Sequence, residues 1–235
     1  PPTASEHFGG WDAAATEICA LAVPGAVPIL QDMGLAYVFD AATGDATLVL
    51  RNNRIEGDGT LIQWGESNSG ARNITLDSTT LTFLSPTYNP ETYHVGYLSN
   101  SWDCSNNVVR DMSYENGASD LDINFASAGT LELTLQKTIS ATVIGSNGFP
   151  VSSATVTIRN NYGQTVLQGV TNGMGIVRGL ASYRYEQLGG ADSTNFNDFT
   201  MTAVKGTDVG SVSFTVTANS ASPVLTLDNT EGDTT

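Results

Sequence analysis

Pairs of aspartates are the side chains whose spacing in this 235-residue chain could support catalysis. Asp120 and Asp122 stand two residues apart, and on a β-strand they would face the same side about 7 Å apart, near the separation that glycosidases use. Asp103 and Asp111 form a second, looser pair. The alternation of acidic and apolar residues around Asp120 is more typical of an exposed acidic strand face. We therefore assign no catalytic residue to either pair.

The histidines and cysteines are too scattered for nucleophilic or zinc chemistry. His7 and His94 are the two histidines, and neither lies near a Gly-x-Ser-x-Gly sequence, so no Ser-His-Asp triad is predicted. Cys19 and Cys104 are too far apart in sequence to form a CxxC metal motif. They could form a disulfide or remain as buried thiols, and the sequence leaves both open. The residues therefore predict a protein that is not an enzyme.

Aspartates in glycine-containing turns are the remaining candidates for a cofactor site. Asp40 and Asp45 flank one such turn, and Asp58 lies between two glycines. Carboxylates converging from turns could bind Ca²⁺. Aspartate is also common in turns that bind nothing. We therefore predict no cofactor, with Ca²⁺ at these three residues as the alternative.

Aromatic residues in the middle of the chain are the candidate binding residues. Tyr88, Tyr93, Tyr97 and Trp102 lie close together in sequence and could stack on a glycan or on a partner protein. The proline-containing segment 85–91 around Tyr88 is the best candidate for an exposed recognition loop. Packing of these rings into the core is the alternative.

The charge of the chain excludes two classes of partner. Asp and Glu number 24 against 9 Lys and Arg, which gives a net charge of −15. Such a field repels nucleic-acid phosphates and anionic membranes. No run of about 18 apolar residues occurs, so no membrane insertion is expected. The chain starts with Pro1-Pro2 rather than Met, which suggests a processed product.

Short strands separated by turns must position these side chains. Alternating apolar and polar residues predict strands at 35–39, 47–51, 60–64, 73–76, 80–84, 93–98, 108–113, 121–125 and 130–136. Strand starts at Thr47, Thr60 and Asn73 recur about every 13 residues. The phrases LVLRNNRIEG, ARNITLDSTTLTF and NNVVRDMSYENGASDLDINF resemble rungs of a right-handed parallel β-helix, in which Asn at a turn stacks on Asn in the next coil. The sequence favours either a β-solenoid-like or a β-sandwich domain here.

The last hundred residues show a different pattern of strands and turns. Apolar residues alternate from Ile139 to Ile144 and again from Ala154 to Ile158, with Asn147-Gly148 and Asn172-Gly173 marking turns. The segments 145–151, 154–156 and 171–175 resemble the carboxypeptidase-regulatory-like domain. Ser153 stands where that family usually has Gly, and Asn172 where Asp is commoner. The resemblance covers roughly residues 139–228, and it implies a small Ig- or transthyretin-like β-sandwich with an accessory or surface role and no catalysis.

The sequence thus predicts an all-β protein with two domains. Residues 1–34 are predicted to form an N-terminal arm that includes a short helix, 35–138 the solenoid-like or sandwich domain, 139–228 the second sandwich, and 229–235 a tail. The domain boundary is placed near Lys137-Thr138, where acidic residues become fewer.

We expect an extracellular, non-enzymatic structural or adhesion subunit. It would be displayed on the outer surface of a virion, as a capsid decoration or tail appendage, or on a microbial cell. Its partners would be copies of itself, other subunits of a surface assembly, or a glycan. The alternatives are a fragment of a polysaccharide-degrading β-helix enzyme with an accessory sandwich, and a glycan-binding module.

Overall fold

The structure is a computed structural model, and it describes eleven stretches of the chain. These are residues 29–32, 38–39, 48–57, 61–64, 73–83, 96–98, 104–120, 123–125, 131–188, 192–218 and 220–228. No residue within these stretches is helical, and most are in strands. The all-β class predicted from the sequence is confirmed.

Nineteen strands are found in the described stretches. They are β1 Ile29–Asp32, β2 Val38–Phe39, β3 Leu48–Arg51, β4 Arg54–Gly57, β5 Ile62–Trp64, β6 Ile74–Asp77, β7 Thr80–Phe83, β8 Gly96–Leu98, β9 Cys104–Arg110, β10 Ser113–Glu115, β11 Ile123–Phe125, β12 Leu131–Gly145, β13 Thr155–Arg159, β14 Thr165–Val170, β15 Ile176–Leu188, β16 Asp192–Asn195, β17 Phe199–Lys205, β18 Asp208–Phe214 and β19 Val224–Leu227. The chain divides into two compact units, one comprising residues 1–135 and 185–194 and the other residues 136–184 and 195–235.

The strands of the first unit recur in groups of three along parallel sheets. Strands β1, β4, β7 and β10 form one sheet, β2, β5, β8 and β11 a second, and β3, β6 and β9 continue to β12 in a third. The chain therefore winds through solenoid-like coils. Leu48 pairs with Ile74, 26 positions further along, and Thr75 pairs with Val108, 33 positions further along. The 13-residue spacing predicted from the sequence is half of the shorter coil.

Stacked apolar side chains fill the coils. Ile55 on β4 pairs with Leu81 on β7, and both are fully or almost fully buried. Ile74 and Leu76 point inward from β6, while Thr75 and Asp77, which alternate with them, are half-buried. Because successive strand residues face opposite sides, each coil adds the same inward positions to one continuous core.

Residues with positive φ turn the chain at two corners of the coil. Asn52, Ser78 and Asp111 occupy equivalent positions after β3, β6 and β9, with φ of 55°, 54° and 48°. At a second corner, Asn73 precedes β6 with φ of 57° and Asn106 occupies the equivalent place in the next coil with φ of 58°. Asparagine and aspartate adopt this region more readily than most residues. An asparagine thus lies above an asparagine at this second corner.

The second unit consists of two layers. One is the antiparallel sheet β14-β13-β17-β18, and the other contains β12, β15 and β19, with β19 parallel to β12. The apolar positions of the alternation predicted from the sequence are buried in this unit. Buried residues of the first layer are Val156, Ile158, Phe199, Met201 and Ala203, and those of the second are Ile139, Ala141, Val143, Leu225 and Leu227.

Glycines allow these two layers to approach closely. A Cβ atom on Gly179 of β15 would lie 2.4 Å from Leu167 of β14, and one on Gly210 of β18 would lie 2.8 Å from Leu225 of β19. At these two places a leucine side chain of the neighbouring strand fills the space that a side chain on the glycine would need.

The strand predictions for residues 35–136 each overlap a strand of the structure, but three strands went unpredicted. Two of them are β1 and β4. The third is β10, which the sequence did not separate from β9. Strand β1 falls inside the segment 1–34 that the sequence assigned to an arm, and it pairs with β4. The rest of that segment, the predicted helix included, and the tail 229–235 lie outside the described residues. The two units divide within β12, between Leu135 and Gln136, and residues 185–194 belong to the first unit.

Candidate contact surface

Two turns at one end of the second unit are built from asparagine and glycine. In the turn after β12, Asn147 Oδ1 accepts a hydrogen bond from the Phe149 backbone N–H at 3.0 Å, and Gly148 has φ of 81°. In the turn between β14 and β15, Asn172 Oδ1 accepts from the N–H groups of Met174 and Ile176 at 2.9 and 3.0 Å. An Asn or Asp side chain that holds the next backbone N–H groups in this way fixes the turn.

A buried threonine ties the two turns to the sheet. The Thr171 hydroxyl donates to the Val151 carbonyl at 2.7 Å and accepts from the Ala154 N–H at 2.9 Å. Thr171 itself is 4% exposed. Val143 of β12 donates its N–H to the Gly175 carbonyl at 2.8 Å and accepts from the Val151 N–H at 3.0 Å. The turns therefore touch each other and rest on a closed set of hydrogen bonds.

Each turn exposes one large apolar side chain. Phe149 is 66% exposed and Met174 is 67% exposed. We call these two side chains the tip. Phenylalanine and methionine are enriched at protein interfaces relative to the rest of the surface. Because the backbone beneath them is fixed, binding at the tip costs little backbone entropy.

The outer face of the sheet β14-β13-β17-β18 is a second exposed surface. Its outward side chains lie in register in three rows, which are Val170, Thr155, Val204 and Val209, then Gln168, Thr157, Thr202 and Ser211, then Thr165, Arg159, Thr200 and Ser213. We call these twelve side chains the sheet face. Val170, Val204 and Val209 in the first row are 60%, 38% and 66% exposed.

The sheet face carries almost no charge. Among the described residues of these four strands, Arg159 is the single charged side chain on the outward positions. Its guanidinium donates to the Gly163 carbonyl at 2.8 Å. In a chain with 24 acidic residues, a sheet surface without a carboxylate is a distinct feature.

Ion pairs line the outside of the coils in the first unit. Asp77 lies between Arg51 and Arg110, which occupy the paired positions in the coils on either side, at 3.5 and 3.9 Å. Arg54 pairs with Glu115 at 2.7 Å. Exposed pairs of this kind contribute about 0–1 kcal/mol each. They place three of the chain's nine basic side chains next to carboxylates.

Tyr114 and Asp120 interact in the last coil. Tyr114 pairs with Leu81 of the inner stack, and burial raises the pKa of its phenol, with the nearby charge of Asp120 adding to the shift. Asp120 is the one member of the Asp120–Asp122 pair that lies in the described chain.

Most of the predicted site residues lie outside the described part of the chain. This holds for Tyr88, Tyr93 and Trp102, for Asp40, Asp45 and Asp58, and for Asp103, Asp122, His7, His94 and Cys19. Tyr97 lies on β8, where only the backbone is described. Asp111 forms a corner of the coil, and Cys104 is buried on β9. The residues that are described contain no group of three or more His, Cys, Asp or Glu that could hold a metal ion.

Neither surface was predicted from the sequence. Phe149 and Met174 stood within turns that were predicted, and an apolar residue inside an exposed turn was the available signal. The sheet face was visible as the polar half of the alternation in β13, where Thr155, Thr157 and Arg159 separate the buried residues. Its lack of acidic residues depends on the pairing of four strands, which one strand at a time does not show.

Comparison of the sequence with protein-family models and with curated proteins finds no match. Within the part of the chain that the structure describes, no helix is long and apolar enough to cross a membrane.

Proposed function

We propose that this protein is a non-enzymatic structural or adhesion subunit that attaches through its tip. The observation that supports this most is the pair of exposed apolar side chains, Phe149 and Met174, on two turns that are fixed by hydrogen bonds. Binding energy at interfaces concentrates in a few such anchors. A surface built this way is suited to holding a partner.

The proposal places the protein outside, on a virion as a capsid decoration or tail appendage, or on a microbial cell. Stacked parallel strands in one unit and fixed turns beneath the tip in the other suit a subunit that projects from a surface and binds a partner. The acidic charge keeps such a protein soluble and away from nucleic acid and anionic membranes. Repeated copies on one particle would add avidity to a weak single contact.

Binding to particles or cells of its source tests the proposal. The double variant Phe149→Ala/Met174→Ala should lose co-sedimentation with virions or cell envelopes by at least about tenfold in apparent affinity, as expected when two anchors are removed. Val224→Ala is the matched control, because Val224 is 53% exposed on the other layer of the same unit. Equal co-sedimentation of both variants and the unchanged protein would refute attachment through the tip.

A further inference from the structure

We infer that the sheet face is a self-association surface, at which a second copy of this chain packs face to face. The charge of the chain favours this face for such a contact. Two copies that each carry −15 repel each other, and the repulsion is smallest where neither presents a carboxylate. Among the described outward positions of β13, β14, β17 and β18 there is no acidic residue, so this face brings two copies together at low electrostatic cost.

The composition of the sheet face suits sheet-on-sheet packing. Thr155, Val170, Val204 and Val209 are β-branched and form one row across four strands. β-branched side chains are stiff at χ1, so little rotamer freedom is lost when they are covered. Two twisted sheets pack through such faces with their strands about 30° apart.

The size of the sheet face sets the strength of the contact. Four strands about 4.8 Å apart, paired over about five residues, cover roughly 19 by 17 Å, or about 320 Å² before the corrugation of the side chains is counted. Stable interfaces bury about 800 Å² of accessible surface per partner. The sheet face therefore falls at the weak end, and it predicts a reversible dimer rather than an obligate one.

Salt distinguishes this contact from one made by ion pairs. The Debye length falls from about 30 Å at 0.01 M to about 3 Å at 1 M salt, which screens the repulsion between the two acidic bodies. The dimer should therefore become tighter as salt is added. An interface held by opposite charges would weaken under the same change.

Sedimentation velocity of the purified full chain tests the inference, at about 1 μM to 1 mM, where weak interfaces dissociate. We expect a monomer–dimer equilibrium that tightens with salt. Val209→Asp should weaken it at least about tenfold, since an isologous contact is changed twice by one substitution. Val224→Asp, an equivalent change at an exposed valine on β19, should leave it unchanged. Thermal unfolding of each variant confirms that it folds.

Val209→Lys distinguishes face-to-face packing of two copies from attraction between the sheet face and an acidic surface of a second copy. A buried lysine on two opposed faces should weaken the dimer as aspartate does. Stronger association with lysine, a dimer that ignores both changes at Val209, or a monomer at every salt concentration would each overturn the inference. The tip plays no part in this experiment and no other component is present, so its failure leaves the attachment proposal standing, and the reverse also holds.

Discussion

The substitution Gly175→Ala isolates the turn on which Met174 is presented. Gly175 has φ of 71°, a conformation that costs an L-residue about 1–2 kcal/mol. A Cβ atom added there would lie 2.4 Å from the Val143 carbonyl oxygen and 3.2 Å from both the Cβ of Pro150 and the Val151 nitrogen. Backbone is the nearest neighbour, so the strand or the turn must move.

The cost follows from the hydrogen bonds that such a movement breaks. The Val143 carbonyl accepts from the Val151 N–H, and a buried polar group that loses its partner costs about 1–3 kcal/mol. Replacing glycine recovers about 0.4–1 kcal/mol by restricting the unfolded chain. We expect Gly175→Ala to destabilise the second unit by about 2–4 kcal/mol.

Gly148→Ala is the matched control, because Gly148 has φ of 81° but no atom within 4 Å of an added Cβ. Only the conformational cost applies there, so the net loss should be about 1 kcal/mol or less. The difference between the two alanine variants, about 2 kcal/mol, is the quantity that the structure predicts.

Native-state hydrogen exchange of the amides in β12 and β13 measures this difference. Residues 136–184 and 195–235 contain no tryptophan, so hydrogen exchange rather than tryptophan fluorescence is used to follow the second unit. Equal losses of protection in Gly175→Ala and Gly148→Ala would refute the close approach of the turn to Val143.

Three further predictions concern single side chains. Ser153 has φ of 56°, so Ser153→Gly should stabilise the second unit by up to about 1 kcal/mol, measured by the same exchange experiment; a loss of stability would contradict this. Thr171→Val removes the hydroxyl that hydrogen-bonds to Ala154 and Val151, and it should lower the free energy of unfolding by about 2 kcal/mol. Thr171→Ser keeps the hydroxyl and should lower it by less. Equal losses in the two variants would show that the hydroxyl contributes little. Because the pKa of Tyr114 is raised above its usual value near 10, the unfolded chain loses this proton first and folding stability should fall by about 1.4 kcal/mol per pH unit above about pH 10. Tyr114→Phe should remove that part of the decline in alkaline denaturation, and an identical decline in both proteins would contradict the burial of the phenol.

The sequence predicted the strands of the second unit because its alternation and its turns agree. Ile139, Ala141 and Val143 alternate with polar residues and are fully buried, and the turns at Asn147-Gly148 and Asn172-Gly173 are present. The two departures from the family pattern also have a physical reading. Ser153 adopts a left-handed conformation that favours glycine, and the Asn172 side chain accepts two N–H groups, as an aspartate would. The resemblance to the carboxypeptidase-regulatory-like domain stays a prediction.

The coil was harder to predict because parallel pairing joins residues that are far apart in sequence. Arg51, Asp77 and Arg110 become neighbours only when the coil length is known, and that length changes from 26 to 33 residues. Strand β4 follows β3 after only the corner Asn52-Asn53, so no run of turn residues marked where it begins. Both candidate surfaces are likewise products of pairing, since the rows of the sheet face come from four separate strands.

Electron microscopy of virions or cells of its source, with the protein labelled at the exposed Tyr162→Cys position away from the two tip turns, tests the central claim most directly. We expect label on the outer surface at regular sites, and its loss from that surface in the Phe149→Ala/Met174→Ala variant. Label found only in the soluble fraction, or surface label that is unchanged in the tip variant, would contradict attachment through Phe149 and Met174.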